Sequence, residues 1–465
     1  MSDVDLAPDA LSASRYPLDA LLADIGDVPS SLDPVEIRRK SRDYYWYSPI
    51  LNAQLKDKLA DIIVAPRDEA DVIRVAAACY RHRIPLTVRG GASGNYGQCV
   101  PLEGGVVLDM AAMDRIEWQK PGIVRVQAGA KLFDIDTRTR PNGWELRMHP
   151  STKRMSHIGG FVAGGSGGIG SVTYGGMREP GNILAARIVT MEETPRVIEL
   201  RGDAAQKISR AYGTTGIITA LEMPLAPALE WIDVIVAFDD FHESIRFGQA
   251  IAMADGIVKK LLAPMQWPLP GNFASLRDFC PDGNAIVLCM IGAMSIESFE
   301  TLLEPFAGSI TYKVPSEDVS TKVPLYEHAW NHCTLQMFKV DRNITYLQVL
   351  YPHDRIVQAA ADIGWRFEGE VMQHLQFIRI NGLMTATGIP VIRYSTPERL
   401  YEIMAAYEAC GIMIANPHVM TLEDGSRYKR VDADQFTYKH EVDPLGLLNP
   451  GKMRSFVPRT PDARP

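Results

Sequence analysis

Six of the 23 residues from Val88 to Met110, "VRGGASGNYGQCVPLEGGVVLDM", are glycine, and the stretch lies between two apolar runs. No other feature restricts the fold as much. A run with so few side chains cannot build a core of its own, so it has to lie against something that needs bare backbone. Successive backbone N–H groups, freed of side chains, form a concave nest that suits an anion such as a phosphate. A glycine loop of purely structural use meets the same description. A second cluster narrows the choice: "HPSTKRMSHIGGFVAGGSGGIGSVTYGGMREPGNILAARIVTM" (149–191) holds ten more glycines. Two clusters, each beside apolar strand-like segments, suggest one long ligand gripped from two sides.

The flanks give the clusters a setting. "DIIVAP" (61–66) reads as a short strand, and residues 67–83 read as a helix with acids at its start and bases at its end, as the helix dipole favours. "IPLTV" (84–88) is the next strand, so the first cluster follows a β–α–β unit and leads into the strand "GGVVLDM". "GIVRVQAGAKL" (122–132) continues the strand pattern, whereas the second cluster shows no helical periodicity until after Asn182. "YGTTGIITALEMPLAP" (212–227) ends in proline and alanine and marks a domain edge. From Trp231 glycine becomes sparse. "WIDVIVAF", "NAIVLCMI", "SITYKV", "ITYLQVLY", "LQFIRI" and "IPVIRY" read as strands, and "HESIRFGQAIAM", "SIESFETLLEPF", "DRIVQAAADIGW" and "TPERLYEIMAAYEAC" as helices. That alternation predicts an α+β domain with helices on an antiparallel sheet. The end, "DPLGLLNPGKM" (443–453), is turn-rich again.

Several function classes recede. A net charge of −8, from 48 basic and 56 acidic residues, argues against a general nucleic-acid binder. No apolar stretch is long enough to span a bilayer, and the acidic start "MSDVDLAPDALSASRYP" lacks a signal pattern, so a cytoplasmic location is expected. Cysteines 79, 99, 280, 289, 333 and 410 are scattered without a CxxC pair, which fits free thiols and offers no iron–sulfur motif. "GSGGIG" (165–170) satisfies the dinucleotide fingerprint G-x-G-x-x-G, which needs a strand before it and a helix after it. The "SVTYGG" that follows is a poor helix start. "GGSGG" (164–168) satisfies the hydrolase motif G-x-S-x-G around Ser166, and the same missing helix counts against a serine hydrolase.

Four stretches taken together, "PLTVRGGASGNYGQCVPLEGGVVLDM", the second cluster as far as "GNIL", "YGTTGIITALEMPL" and "VDPLGLLNPGKM", resemble the flavoproteins with an FAD domain of the vanillyl-alcohol-oxidase (PCMH) type. Within them the sequence is most similar to the glycolate oxidase D-subunit, D-lactate dehydrogenase and D-2-hydroxyglutarate dehydrogenase branch. The resemblance implies an α+β fold in which a two-part PCMH-type FAD-binding domain carries an inserted α+β substrate domain with an antiparallel sheet. Residues 1–44 would be an N-terminal extension, 45–228 the FAD-binding domain, 229–425 the substrate (cap) domain, and 426–465 a segment returning to the FAD domain. It also implies that FAD is the ligand. Arg89, Gly90, Gly91, Ala92, Ser93 and Gly94, with Asn95, Gly97 and Gln98 behind, would wrap its pyrophosphate. Pro150, Ser151, Ile158, Gly159 and Gly160 would line the isoalloxazine and ribityl side, and Gly164, Ser166, Gly168, Gly170 and Tyr174 would continue along the cofactor. Ile217 and Ile218 would meet the adenine or ribose, and Asn449 and Lys452 would close over the flavin.

Two departures from the family pattern matter. Relatives that hold FAD covalently carry histidine in the first loop, where this chain has Ser93, and no cysteine lies between Cys99 and Cys280, so FAD is expected to be non-covalent. The histidine–glycine–aspartate–glycine–asparagine metal motif of the 2-hydroxy-acid branch and its later glutamate–histidine–glycine motif are not found. "NPHVMTLEDG" (416–425) comes nearest, and no metal ligand is assigned. The substrate class therefore stays open between a 2-hydroxy acid and an aromatic or other alcohol.

The implied activity is that of an FAD-dependent oxidoreductase oxidising a C–OH or similar C–H bond of a small organic substrate, with oxygen, a quinone or a protein as electron acceptor. An FAD-binding accessory subunit of a larger oxidase complex is the alternative, and a homodimer is compatible with either. Alcohol oxidation needs a base. His328 and His332, four apart in "YEHAWNHCTLQMF" (326–338), are expected on one helix face as a base, a metal pair or packed residues. Arg379 and Arg393, in the strand-like "QFIRI" and "PVIRY", could grip a substrate carboxylate or face solvent. His418 sits in the loop-like "NPHVM", with His374 a weaker candidate, and the aromatics of "RDYYWYSP" (42–49) would cap a pocket or pack in the core.

Overall fold

A computed structural model of the chain describes residues 14–317, 323–425 and 433–458. The first unit is built on three parallel strands, Ile62–Val64, Val106–Asp109 and Leu86–Arg89, with Val106–Asp109 in the middle and the short strand Ser30–Ser31 antiparallel at one edge. The helix Glu69–His82 makes the crossover between the outer two parallel strands. Asp68 caps it by accepting from the Asp71 N–H, and Arg81 and His82 stand in its last turn, so both ends complement the dipole. Its buried face, Val72, Val75, Ala76 and Cys79, packs on Ile62, Leu86 and Val106.

The helix Leu18–Ile25 joins this same core through Leu21 and Ile25. Within the described residues the expected N-terminal extension is therefore part of the first unit, and a boundary at residue 45 cuts through it. The apolar positions of Leu18–Ile25 had no neighbour in the sequence that could reveal where they pack.

The second unit is an antiparallel sheet in the order Ile116–Lys120, Ile123–Gln127, Ile217–Pro227, Ala185–Val189, Val197–Arg201. Ile217–Pro227 is buried along all but its last residue and forms the spine; Trp144–Leu146 pairs with its far end. Its chain passes directly into the next sheet, which begins at Trp231.

The inserted region is α+β with antiparallel sheets, three rather than one. The largest runs Lys259–Met265, Ala285–Gly292, Trp231–Phe238, Gly308–Pro315, with the helices Phe241–Met253 and Ile296–Leu303 packed on it through Phe247, Ile251 and Phe299. A second runs Leu375–Ile380, Leu383–Gly388, Val349–Leu350, Met413–Ile414. A third, of Ile344–Tyr346, Val391–Arg393 and Val371–Met372, lies beside them.

The chain end returns to the first unit. The Leu86 N–H donates to the Leu447 carbonyl at 2.8 Å and the Asn449 N–H donates to the Leu86 carbonyl at 2.8 Å, which lays "LLN" alongside the strand that enters the first glycine loop. Tyr438 and Val442 of the helix Ala433–Val442 enter the core of the second unit.

Candidate cofactor and substrate site

A cavity of about 680 Å³ lies where the two glycine loops meet the inserted domain. Volumes of this order are typical of small-molecule and cofactor sites. The first loop contributes Gly90 to Tyr96 and Gln98, the second contributes Pro150, Ser151, Gly159, Gly160, Gly164 and Ser166, and the spine strand contributes Ile218. The inserted domain contributes Trp330, Asn331, Gln348, Leu350, Ile378, Ile380, Asn381 and Thr387.

The glycines divide into two kinds. At Gly91 a Cβ would stand 2.1 Å from the Met155 carbonyl oxygen, and at Gly90 it would stand 3.2 Å from the Cβ of His157, so these two let the first loop press against the second. At Gly160 and Gly176 a Cβ would meet no protein atom within 4 Å, and at Gly164 only the Ser166 hydroxyl at 3.9 Å. All three line the cavity. Backbone kept bare against open cavity is what a closely held, elongated ligand requires. Hydroxyls tie the loops together: Ser93 Oγ lies 2.7 Å from Ser156 Oγ, which lies 2.7 Å from Thr152 Oγ1.

Other residues expected at the cofactor stand one layer behind it. The Arg89 guanidinium donates to the carbonyls of Lys40 (3.0 Å) and Arg42 (2.6 Å), holding the N-terminal segment beneath the loop. Asn449 donates through Nδ2 to the carbonyls of Gln98 and Tyr212, each at 2.7 Å. The buried Lys452 ammonium donates to the Gly97 carbonyl at 2.6 Å. The chain end thus braces the first loop from the rear, outside the cavity lining. Ile158 and Ile217 are core residues. A Cβ at Gly168 or Gly170 would meet the carbonyl oxygen of His149 or Arg147, so these are packing glycines, and Tyr174 lies under the Arg147 guanidinium.

Asp43 lines the cavity, and nothing in its sequence context singled it out. Burial raises its carboxyl above the usual carboxylate range, against the pull of Lys452 and Arg89, and burial lowers the Lys452 ammonium below its ordinary value. His157, of "SHIGG", also lines the cavity, and burial lowers its pKa. Cys99 is there too, its thiol raised to about 12 by burial.

None of the four candidate catalytic side chains lines the cavity. His328 and His332 do not share a helix. His328 ends a 3-10 turn, Leu325–His328, and His332 lies in the helix Asn331–Phe338; between them Trp330 takes φ 53°, a left-handed backbone that breaks the helical register. His328 Nε2 pairs with the Ser275 hydroxyl at 2.7 Å, and burial lowers both imidazoles to about 4. Arg379 points away from the cavity to Asp255, because Ile378 and Ile380 on either side of it take the cavity face. Arg393 is exposed. His418 is buried between the Ser48 hydroxyl (2.7 Å) and the Tyr346 carbonyl (2.9 Å), and burial lowers it to about 4. His374 is also buried and lowered to about 3. Of the aromatics at 42–49, Tyr44, Trp46 and Tyr47 pack on one another, and Trp46 and Tyr47 pack also on Phe338. Ser166 follows a helix, Ile158–Gly164, and no strand, so neither the nucleophile elbow nor the dinucleotide fingerprint has its required context. Among the described residues no group of three or more His, Cys, Asp or Glu side chains could hold a metal ion, and no helix is long and apolar enough to cross a membrane.

Residues 60–198 match a family model described as an FAD binding domain. With the bare-backbone cavity, that match identifies an FAD-binding domain within this chain, and FAD is its cofactor. The chain is 28% identical over 243 residues to "Glycolate oxidase subunit GlcD" of Escherichia coli (strain K12), covering 49% of this chain and 47% of that protein. It is 27% identical over 198 residues to the D-lactate dehydrogenase of Anaerostipes hadrus, covering 40% of each. It is 25% identical over 248 residues to the mitochondrial D-2-hydroxyglutarate dehydrogenase of Bos taurus, covering 50% of this chain and 44% of that one. These matches span about half the length of the curated relatives or less. A solved alkyldihydroxyacetonephosphate synthase shares the fold, with a TM-score of 0.70 over 95% of this chain and 86% of that one at 16% identity.

Proposed function

We propose that the protein is an FAD-dependent oxidoreductase that oxidises a C–OH bond, or a similar C–H bond, of a small organic substrate. The observation that carries this reading is the shared cavity: cofactor loops and an inserted α+β domain contribute to one wall. An accessory subunit that only stores FAD has no need of that second half. When bound, FAD supplies a two-electron acceptor for hydride. The chain holds it through the bare backbone of the glycine loops, and the inserted domain covers the cavity and limits water there. Asp43, Glu179 and His157 are lining side chains able to accept a proton from a substrate hydroxyl.

FAD is held without a covalent bond. The position where covalent relatives carry histidine is Ser93, whose hydroxyl is bonded to Ser156. The Cys99 thiol, raised to about 12, stays protonated and unreactive near neutral pH. Oxygen, a quinone or a protein then takes the electrons, and a cytoplasmic location and a homodimer fit this reading. Mixing the oxygen-free holoprotein with a panel of alcohols and hydroxy acids tests it. Bleaching of the visible flavin band by at least one of them is expected. Bleaching by dithionite but by no member of a broad panel would favour the accessory-subunit reading.

A further inference from the structure

The inserted domain's share of the cavity wall bears on the substrate, on the footing of the oxidoreductase reading just proposed. Along a strand, successive side chains alternate between faces. Ile378 and Ile380 line the cavity, and the Arg379 between them is turned outward to Asp255. On the neighbouring strands Leu350 is paired in register with Thr387, and both line the cavity. Gln348 lies two residues before Leu350 and joins them. The Thr387 hydroxyl donates to the Val349 carbonyl at 2.8 Å, so its proton is taken and it offers the cavity a methyl and spare lone pairs. The Trp330 side chain, packed against Gly167, extends this surface.

With Asn331 and Asn381, the inserted domain's share of the wall is three branched aliphatic side chains, an indole, a hydroxyl and three amides, and none of the eight carries charge. A carboxylate or phosphate seated on it would give up hydration with no cation there to replace it. The lining arginines, Arg178 and Arg210, belong to the FAD domain, and each is already engaged within the protein.

We propose that the substrate is an alcohol whose reacting carbon carries an apolar body, aromatic or branched aliphatic, and that compact 2-hydroxy acids are poor substrates. In the reaction the substrate C–H bond breaks with its electron pair leaving as hydride to FAD. The O–H proton goes to a lining base or to water, and a C=O bond forms. The substrate loses two electrons and the cofactor gains two.

Two measurements on the holoprotein test this. In oxygen-free single turnovers, 1-phenylethanol and 3-methylbutan-1-ol should bleach the flavin at least 10-fold more efficiently than glycolate or D-lactate, a ratio that apolar pocket contacts readily supply. By calorimetry, the ketone acetophenone should bind the wild type and bind Ile380→Lys at least 10-fold more weakly. Ile380 is only partly buried, and Ile380→Ser serves as a second variant if the lysine form is unstable. Preferential bleaching by glycolate or D-lactate, or acetophenone binding that is absent or unaffected by both variants, would overturn the proposal. Acetophenone binding that responds to the variants, with no bleaching by any alcohol, would uphold the apolar site and overturn the oxidoreductase reading instead.

Discussion

Two glycines of the cofactor loops separate packing from binding. Gly91 lies against the Met155 carbonyl, so Gly91→Ala forces the two loops apart and should lower stability by about 1–3 kcal/mol even without FAD. Gly160 faces open cavity, so Gly160→Val should leave the melting temperature of the FAD-free protein nearly unchanged and lower FAD content sharply. Thermal melts of both apo variants with a flavin assay check the pair; equal behaviour would contradict the division. His418 belongs to the packing class. His418→Ala strips the Ser48 hydroxyl and Tyr346 carbonyl of a buried partner and should cost about 1–3 kcal/mol, with the rate of flavin reduction unchanged. The histidines were legible in the sequence as residue types and spacings. What decided against them, burial beside Ser275, Ser48 and Tyr346, depends on residues from 53 to 370 positions away. Asp43 was missed for the same reason, since its neighbour Lys452 is at the other end of the chain.

Most strands and helices longer than five residues were legible, because their hydrophobic period and their caps are local. The alternation that places Ile378 and Ile380 on one face also turns Arg379 to the other, yet the sequence could not say which face meets the cavity. The helix Ile158–Gly164 was not legible at all. Three of its seven residues are glycine, a poor helix composition, and tertiary bonds support it: the Ile158 and Gly159 N–H groups donate to the Ala130 and Ala128 carbonyls, each at 2.9 Å. The helix Glu69–His82 shows the opposite case, with local charge strengthening a legible element. Asp71 accepts from the Arg67 backbone and side chain and from Arg74, which lower its carboxyl to about 2. A depressed folded-state pKa gives stability that is present above the unfolded value of about 3.9 and is lost as pH falls towards 2. The partner arginines are partly exposed, so screening reduces the effect. Asp71→Asn should cost about 1 kcal/mol at pH 7, and the deficit should shrink between pH 5 and pH 3 in denaturant titrations. A deficit that stays constant over that range would contradict this assignment.

At the scale of the whole molecule, two sheets of the FAD domain and the antiparallel sheets of the inserted domain enclose one cavity, and the chain end returns to brace the loop that enters it. The two-part plan was legible because "LLNPGKM" and the glycine clusters are distinctive together. The position of the N-terminal helix on the first unit, and the division of the inserted domain into three sheets, were not legible, since both depend on contacts distant in sequence. On the reading proposed above, this cavity binds FAD through its bare backbone and without a covalent bond. The most direct measurement is titration of FAD into the FAD-free protein, followed by flavin fluorescence and then by acid precipitation. Saturation at one FAD per chain, at least 10-fold weaker binding by Gly160→Val, and all of the yellow colour in the acid supernatant are expected. Absence of saturable binding, equal affinity in the variant, or flavin retained in the washed pellet would contradict that reading.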